Sequence, residues 1–279
     1  ARGRLAEFIA HGLRRYDLER DMPAAAAVSR LSADLKFGTL SPRTAAAAAL
    51  DAAGRGGDVP VSAAEKFVSE LRWRDFYSHV LFHFPHVESR AFRVAADSIR
   101  WEGGPAHLEA WRLGRTGYPI VDAGMRELAA TGFMHNRVRM IVASFLTKDL
   151  LLDWRLGERW FMTQLVDGDL ASNNGGWQWA ASTGTDAQPW FRIFNPVLQG
   201  QRFDPEGDYV RRWVPELAEL RASDVHQPWL SKATGWLFGS NDYPAPIVDH
   251  PTQRERALAM YRATGESLTG PAGGPEPLR

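Results

Sequence analysis

Apolar residues along this chain recur at spacings of three and four and almost never alternate, which commits it to helices. The clearest stripe is Val138, Ile141, Val142, Phe145 and Leu146, and it predicts one long helix from His135 to Asp153. Helix punctuation recurs throughout. Ser41-Pro42 opens an Ala-rich helix to Ala53, with Ser as the cap and Pro at the first helical position. The run from Gly54 to Pro60 reads as a loop. Ser62-Ala-Ala-Glu65 has the capping-box pattern and opens a helix to about Phe84. Pro119 opens another, which Gly132 can close. No run alternates as a strand would, and no segment repeats at a fixed period. The expected fold class is therefore all-α: one helical domain over residues 1–262 and a Gly/Pro-rich, disordered tail over 263–279.

Composition removes several kinds of chemistry. With 279 residues, 44% of them hydrophobic, the chain can fill one large core or two small ones. It has no Cys, so disulfides, thiolate nucleophiles and Cys-ligated zinc are excluded; this fits a reducing, cytoplasmic setting. No apolar run approaches the length of a membrane span. The start, Ala1-Arg-Gly-Arg-Leu5, lacks an initiator Met and a signal-like apolar stretch, so a longer parent chain is expected. Net charge is +0, so any nucleic-acid site needs a local cluster of Lys and Arg. The 11 Trp residues suggest stacking surfaces, although core packing is the plainer reading for any single one.

Glycine-rich nucleotide motifs, a His-Glu-x-x-His zinc pattern and a Gly-x-Ser-x-Gly elbow are all absent. His79, His83 and His86 are spaced as helix neighbours, and packing or capping accounts for them better than a metal. Four constellations remain. Glu70, Trp73, Arg74 and Tyr77 share a helix face that offers an acceptor, a stacking plane and a cation, as a nucleobase requires; an amphipathic edge is the alternative. Asn136, Arg139 and Met140 share another face, with Arg137 beside them. Two cations in a first helical turn oppose the helix dipole, so a merely solvated turn explains them poorly. Asp167 to Trp179 concentrates carboxylates, amides, glycines and indoles in a stretch that reads, through to Pro196, as a site-bearing loop. Ser29-Arg-Leu-Ser32, preceded by Tyr16 and Arg20, can cradle a pyrophosphate or form a Ser-capped turn.

These segments resemble the C-terminal domain of the photolyase and cryptochrome family. The likeness rests on Ser29-Arg-Leu-Ser32 with Phe37-Gly-Thr-Leu-Ser-Pro42, on Glu70-Leu-Arg-Trp-Arg-Asp-Phe-Tyr77 and on Thr116-Gly-Tyr-Pro-Ile-Val-Asp122. It continues in Met134-His-Asn-Arg-Val-Arg-Met140, in Asp167-Gly-Asp169 through Asn173-Asn-Gly-Gly-Trp-Gln-Trp179, and in Phe191-Arg-Ile-Phe-Asn-Pro196. The resemblance implies a helical domain that holds folded FAD beside a cavity for a dimer flipped out of DNA. It also implies repair by electron transfer from excited, reduced FAD. The α/β domain that precedes this one in the family, and carries the antenna chromophore, is absent from the sequence, so no antenna is assigned.

Carried over position by position, the resemblance gives Tyr16, Ser29, Arg30, Leu31 and Ser32 to the FAD phosphates and nearby groups. Phe67, Arg139, Asp167, Gly168 and Asp169 would surround the cofactor, with Asn173 near flavin N5. Glu70, Trp73, Asn136, Met140 and Trp179 would contact the lesion, and Arg20, Arg74, Arg137 and Gln199 the DNA strand. Trp177, Trp154 and Trp101 match an electron-hopping chain from the surface. No metal is implied. Met134-His135-Asn136 and Asn173 resemble cyclobutane-dimer photolyases, whereas six-four photolyases carry paired His at the former place and plant cryptochromes Asp at the latter. Val28 departs from a Thr common in the family. The expected protein is thus a monomeric photolyase acting on damaged double- or single-stranded DNA. A cryptochrome-type photoreceptor and a helical DNA-binding module without cofactor are the alternatives.

Overall fold

The structure is a computed structural model that describes residues 1–54, 58–231 and 243–264. Among these there is no strand. Three short helices, α1 (Arg2–Glu7), α2 (Tyr16–Glu19) and α3 (Ser32–Lys36), precede α4 (Pro42–Gly54) and the longest helix, α5 (Val61–His83). The second half holds α6 (Pro105–Arg112), α7 (Pro119–Thr131), α8 (Asn136–Ser144), α9 (Trp154–Gln164) and α10 (Leu170–Ala180). It ends with α11 (Pro196–Phe203), α12 (Asp208–Trp213) and α13 (His250–Ala263). The expected loop after Gly54 falls partly, and the expected tail almost wholly, outside the described residues.

Local chemistry explains several boundaries. Ser41 Oγ accepts from the Arg43 N–H (3.3 Å), so α4 starts where the Ser-Pro pair predicts. Gly132 closes α7 with φ 67°, a left-handed conformation that suits Gly. Three expectations are corrected. Ser62 does not cap α5, which begins at Val61; its hydroxyl donates instead to Asp17 Oδ2 (2.7 Å), tying α5 to α2. The helix expected over His135–Asp153 ends earlier. After Ser144 it widens into a π-turn at Phe145–Asp149, and Leu151 follows with φ 54°. The extra residue in that turn aims two buried polar side chains inward. Lys148 Nζ donates to Ser182 Oγ and the Arg192 carbonyl (both 3.0 Å), and Asp149 meets His250 Nδ1 at 2.5 Å. Burial pushes Lys148 down to about 7 and Asp149 up to about 6.

The third correction concerns the stretch after Asp167, which is not a loop throughout: Leu170–Ala180 is α10. Asp169 Oδ1 caps it through the Ser172 N–H (2.9 Å), and packing against α5 and α9 offsets the poor helix propensity of Gly175 and Gly176.

Beside a small cluster around Ala91, Ile99, Leu151, Met260 and Tyr261, two larger apolar clusters form the core. One joins Leu5, Phe8, Tyr16, Leu31, Phe67 and Leu71 from the N-terminal helices. The other joins Trp111, Val138, Ile141, Val142, Phe161 and Trp177 from α6 to α10. The first is knit by the rings of Phe8, Tyr16 and Phe67, whose centroids lie 4.9–5.6 Å apart. A cavity opens along the seam between these two clusters.

Candidate flavin and DNA site

That cavity has a volume of about 510 Å³ and is continuous in its lining with a smaller one of about 150 Å³. The N-terminal cluster contributes Tyr16, Arg20, Ser29, Ser32 and Phe67. Helix α5 adds Glu70, Trp73, Arg74 and Tyr77, one helical face as the spacing predicts. Across the seam stand Asn136, Arg139 and Met140 from α8, then Asp167, Asp169 and Trp179. The smaller cavity shares Arg139, Asp167 and Asp169 and adds Asn173 and Trp177.

Its charges are paired in pieces. Arg139 Nη2 donates to both oxygens of Asp167 (3.0 and 2.8 Å), while its Nε donates to the Met134 carbonyl (2.8 Å). Arg137 donates to Asp21 Oδ2 (2.8 Å), its guanidinium 4.3 Å from the Phe203 ring centre. These two carboxylates offset the cost of cations in the first turn of α8. Glu70 pairs with Arg20 and, at 3.6 Å, with Lys66. Asn173 Nδ2 donates to the carbonyl of Glu158 (3.0 Å) and to its Oε1 (3.3 Å). Burial raises the Glu158 carboxyl above the usual range, and the Asn173 bond partly opposes this. Burial raises the Asp186 carboxyl too; it accepts from Tyr77 at 3.4 Å.

Trp177 is buried against Phe161 and Trp111, with centroids at 5.1 and 6.0 Å. Its ring lies directly over Gly157, where a Cβ would come within 2.1 Å. Trp154 is buried under the Arg155 guanidinium, and Trp101 is half-buried and edge-on to Tyr261 at 6.4 Å.

Other expected residues lie elsewhere. Leu31 is core and Gly168 is in the turn before α10; neither lines a cavity. Arg137 and Gln199 also stand outside both. Arg30 takes a left-handed backbone (φ 50°) and faces a different cavity, its guanidinium 4.8 Å from the Phe133 ring centre. Sequence reasoning missed Lys36, Lys66, Ser172, Asp186 and Glu158. Lys66, four residues before Glu70, and Ser172, inside the dense segment, were findable; Glu158 carries no local signal.

A sequence profile for the FAD binding domain of DNA photolyase matches residues 67–263. The chain belongs to that family. It is 52% identical to the deoxyribodipyrimidine photo-lyase of Escherichia coli over 93% of its own length and 54% of that protein's. It is 51% identical to that of Halobacterium salinarum over 90% and 53%. Among solved structures it superimposes on a class III photolyase from Agrobacterium tumefaciens (TM-score 0.89, 47% identity, 94% of this chain and 55% of that one). A Synechocystis cryptochrome gives a TM-score of 0.85 at 38% identity, over 92% and 54%. The chain thus spans about half the length of these relatives.

The joined cavities suit a FAD. Their volume falls in the range of cofactor sites. Ser29, Ser32 and Lys36 offer hydroxyls and a cation for a pyrophosphate, and Phe67 and Met140 offer apolar walls for flat rings. Gly176 lines both cavities, and a Cβ built there meets nothing within 4 Å, so any side chain at this position enters the space. Gly176→Leu should leave the helix intact or firmer. It should weaken FAD binding by at least about tenfold in a fluorescence titration, equivalent to roughly 1.4 kcal/mol. Unchanged affinity would mean that the flavin lies elsewhere.

Proposed function

We propose that this chain is the repair domain of a light-driven deoxyribodipyrimidine photo-lyase, a carbon–carbon lyase that binds FAD in the joined cavities. A cyclobutane pyrimidine dimer, flipped out of DNA, enters at their mouth. The observation that carries this reading is that one cavity gathers Glu70, Trp73, Asn136, Met140 and Trp179 beside the Arg139–Asp167 pair. A carboxylate and an amide can meet the polar edges of paired bases. Two indoles and a thioether can cover their faces and offset the few kcal/mol spent on unstacking. Arg20, Arg74, Lys36 and Lys66 supply the local positive charge that the neutral chain as a whole lacks.

When bound, FAD supplies the photoexcited electron donor that splits the dimer. The chain's own residues position and tune. With Nδ2 held by Glu158, Asn173 is left with Oδ1 to accept a hydrogen bond from an N–H of the flavin ring. Glu70, held by Arg20 and Lys66, presents a carboxylate acceptor at the lesion. Trp177 on the cavity wall, Trp154 in the core and half-buried Trp101 would offer a path of indoles from the surface toward the bound flavin. The enzyme acts as a monomer on damaged double- or single-stranded DNA in the cytoplasm. Among the described residues no helix is long and apolar enough to cross a membrane.

The deciding experiment loads the chain with FAD, reduces it chemically, adds a dimer-containing oligonucleotide and illuminates with blue light. Loss of dimers only in the light is the expected result. Flavin binding without any light-dependent repair would overturn the reading and favour a cryptochrome-type receptor. Trp73, 43% exposed at the mouth and stacked on Tyr77 at 6.1 Å, provides a finer test. Trp73→Ala should weaken binding of the dimer-containing strand by roughly 1–3 kcal/mol, the usual value of a lost stacking plane. Equal affinity in a gel-shift titration would reduce Trp73 to a packing residue.

A further inference from the structure

Another cavity, of about 530 Å³, shares only Ser29 with the larger flavin cavity and nothing with the smaller. Its polar lining is short of acceptors. Arg30 and Arg212 both line it, and neither guanidinium has a hydrogen-bond or ion-pair partner among the described residues. His135 lines it too, 2% exposed. His135 Nδ1 accepts from the Arg137 N–H (3.2 Å), so the ring proton sits on Nε2, and Nε2 is buried without a partner. Burial holds this ring down to about 4, so it is neutral near pH 7 and donates through that one N–H.

The carboxylates nearby answer these donors only in part: Glu127 attracts Arg30 electrostatically without pairing with it, and both arginines are exposed to a ligand from solvent. Glu127 is engaged by the Tyr209 hydroxyl (2.6 Å) and the backbone N–H of His135. Glu7 is exposed at the rim, and Arg4 is already paired with Asp34 at 3.0 Å. Phe8 and Ala24–Ala26 give part of the wall an apolar character that suits an organic body.

Two unpaired guanidiniums and a buried, unanswered N–H on one cavity match the acceptor-rich geometry of a phosphate. We infer that this cavity binds the phosphate group of a small, nucleotide-sized ligand through Arg30, Arg212 and His135, separately from the flavin. The left-handed backbone at Arg30 lets it face this cavity while its neighbour Ser29 lines both.

The test titrates the full chain, before and after saturation with FAD, with AMP as the probe in a calorimeter. With FAD saturating the flavin cavities, AMP should bind with one site per chain. Arg212→Gln should weaken it by about tenfold or more, as expected for a lost charge-assisted contact, without changing FAD affinity. Arg202→Gln, which removes a charge from outside the cavity, should leave AMP binding as it was. Absence of AMP binding, its abolition by FAD, or equal losses in the two variants would each overturn the assignment. Displacement of AMP by an undamaged duplex would overturn it in favour of a DNA backbone phosphate. Because FAD affinity is measured separately, failure here is distinguishable from failure of the flavin reading.

Discussion

Asp122→Ala should lower the unfolding free energy by roughly 3–5 kcal/mol, a large loss for one truncation. Asp122 is fully buried near the start of α7 and acts as the knot of that corner. Its Oδ1 accepts from the Thr116 N–H (2.8 Å) and hydroxyl (2.6 Å). Its Oδ2 accepts from the Gly117 N–H (3.0 Å) and the Tyr243 hydroxyl (2.6 Å). Truncation removes this acceptor from two buried backbone N–H groups and two hydroxyls, and each donor left unsatisfied costs about 1–3 kcal/mol unless it finds water. Burial pushes the carboxyl up to about 6 while these four bonds hold it down. Asp122→Asn keeps one acceptor and should cost less. Urea denaturation of both variants checks the ordering. A loss under about 1 kcal/mol for Ala would mean that water replaces the carboxylate at little cost.

Trp101→Phe should nearly abolish light-driven reduction of the bound flavin by an external thiol, while chemically reduced protein repairs dimers at the normal rate. The separation follows from position. Trp101 is half-buried, packs on Tyr261 and touches neither flavin cavity, so its removal leaves the cavities unaltered. Phe preserves most of the packing but is far harder to oxidise than an indole. Bleaching of the flavin band under blue light, alongside a repair assay on reduced protein, reads the two effects apart. Normal photoreduction would remove Trp101 from the relay, and loss of both activities would trace to a damaged fold.

The helical architecture was legible because Pro42, Pro119 and Gly132 act locally, through caps and backbone dihedrals that need no partner. The face that Glu70, Trp73, Arg74 and Tyr77 share on α5 was legible for the same reason: a spacing of three and four fixes a face whatever packs against it. What stayed hidden depends on partners far away in the chain. The π-turn after Ser144 exists because Lys148 and Asp149 must reach Ser182 and His250. Residues 170–180 looked like a loop because their glycines argue against a helix, whereas the Asp169 cap and tertiary packing outweigh them. Glu158 has no neighbouring signal, since its role comes from Asn173. The resemblance puts Arg30 at the FAD phosphates, whereas its left-handed backbone, which no local pattern announces, brings it to the lining of another cavity.

Helix α10 has a consequence for anyone wishing to alter this protein. Asn173, Gly176, Trp177 and Trp179 all ride on it, and Trp177 leaves no slack against Gly157. The amide, the open glycine and the two indoles on this one helix are therefore mechanically geared together, and a small tilt of the rod moves all four. Phe67 on α5 and Met140 on α8 wall the same space, so a change meant to alter what it accepts is best confined to single open positions such as Trp73, which is 43% exposed.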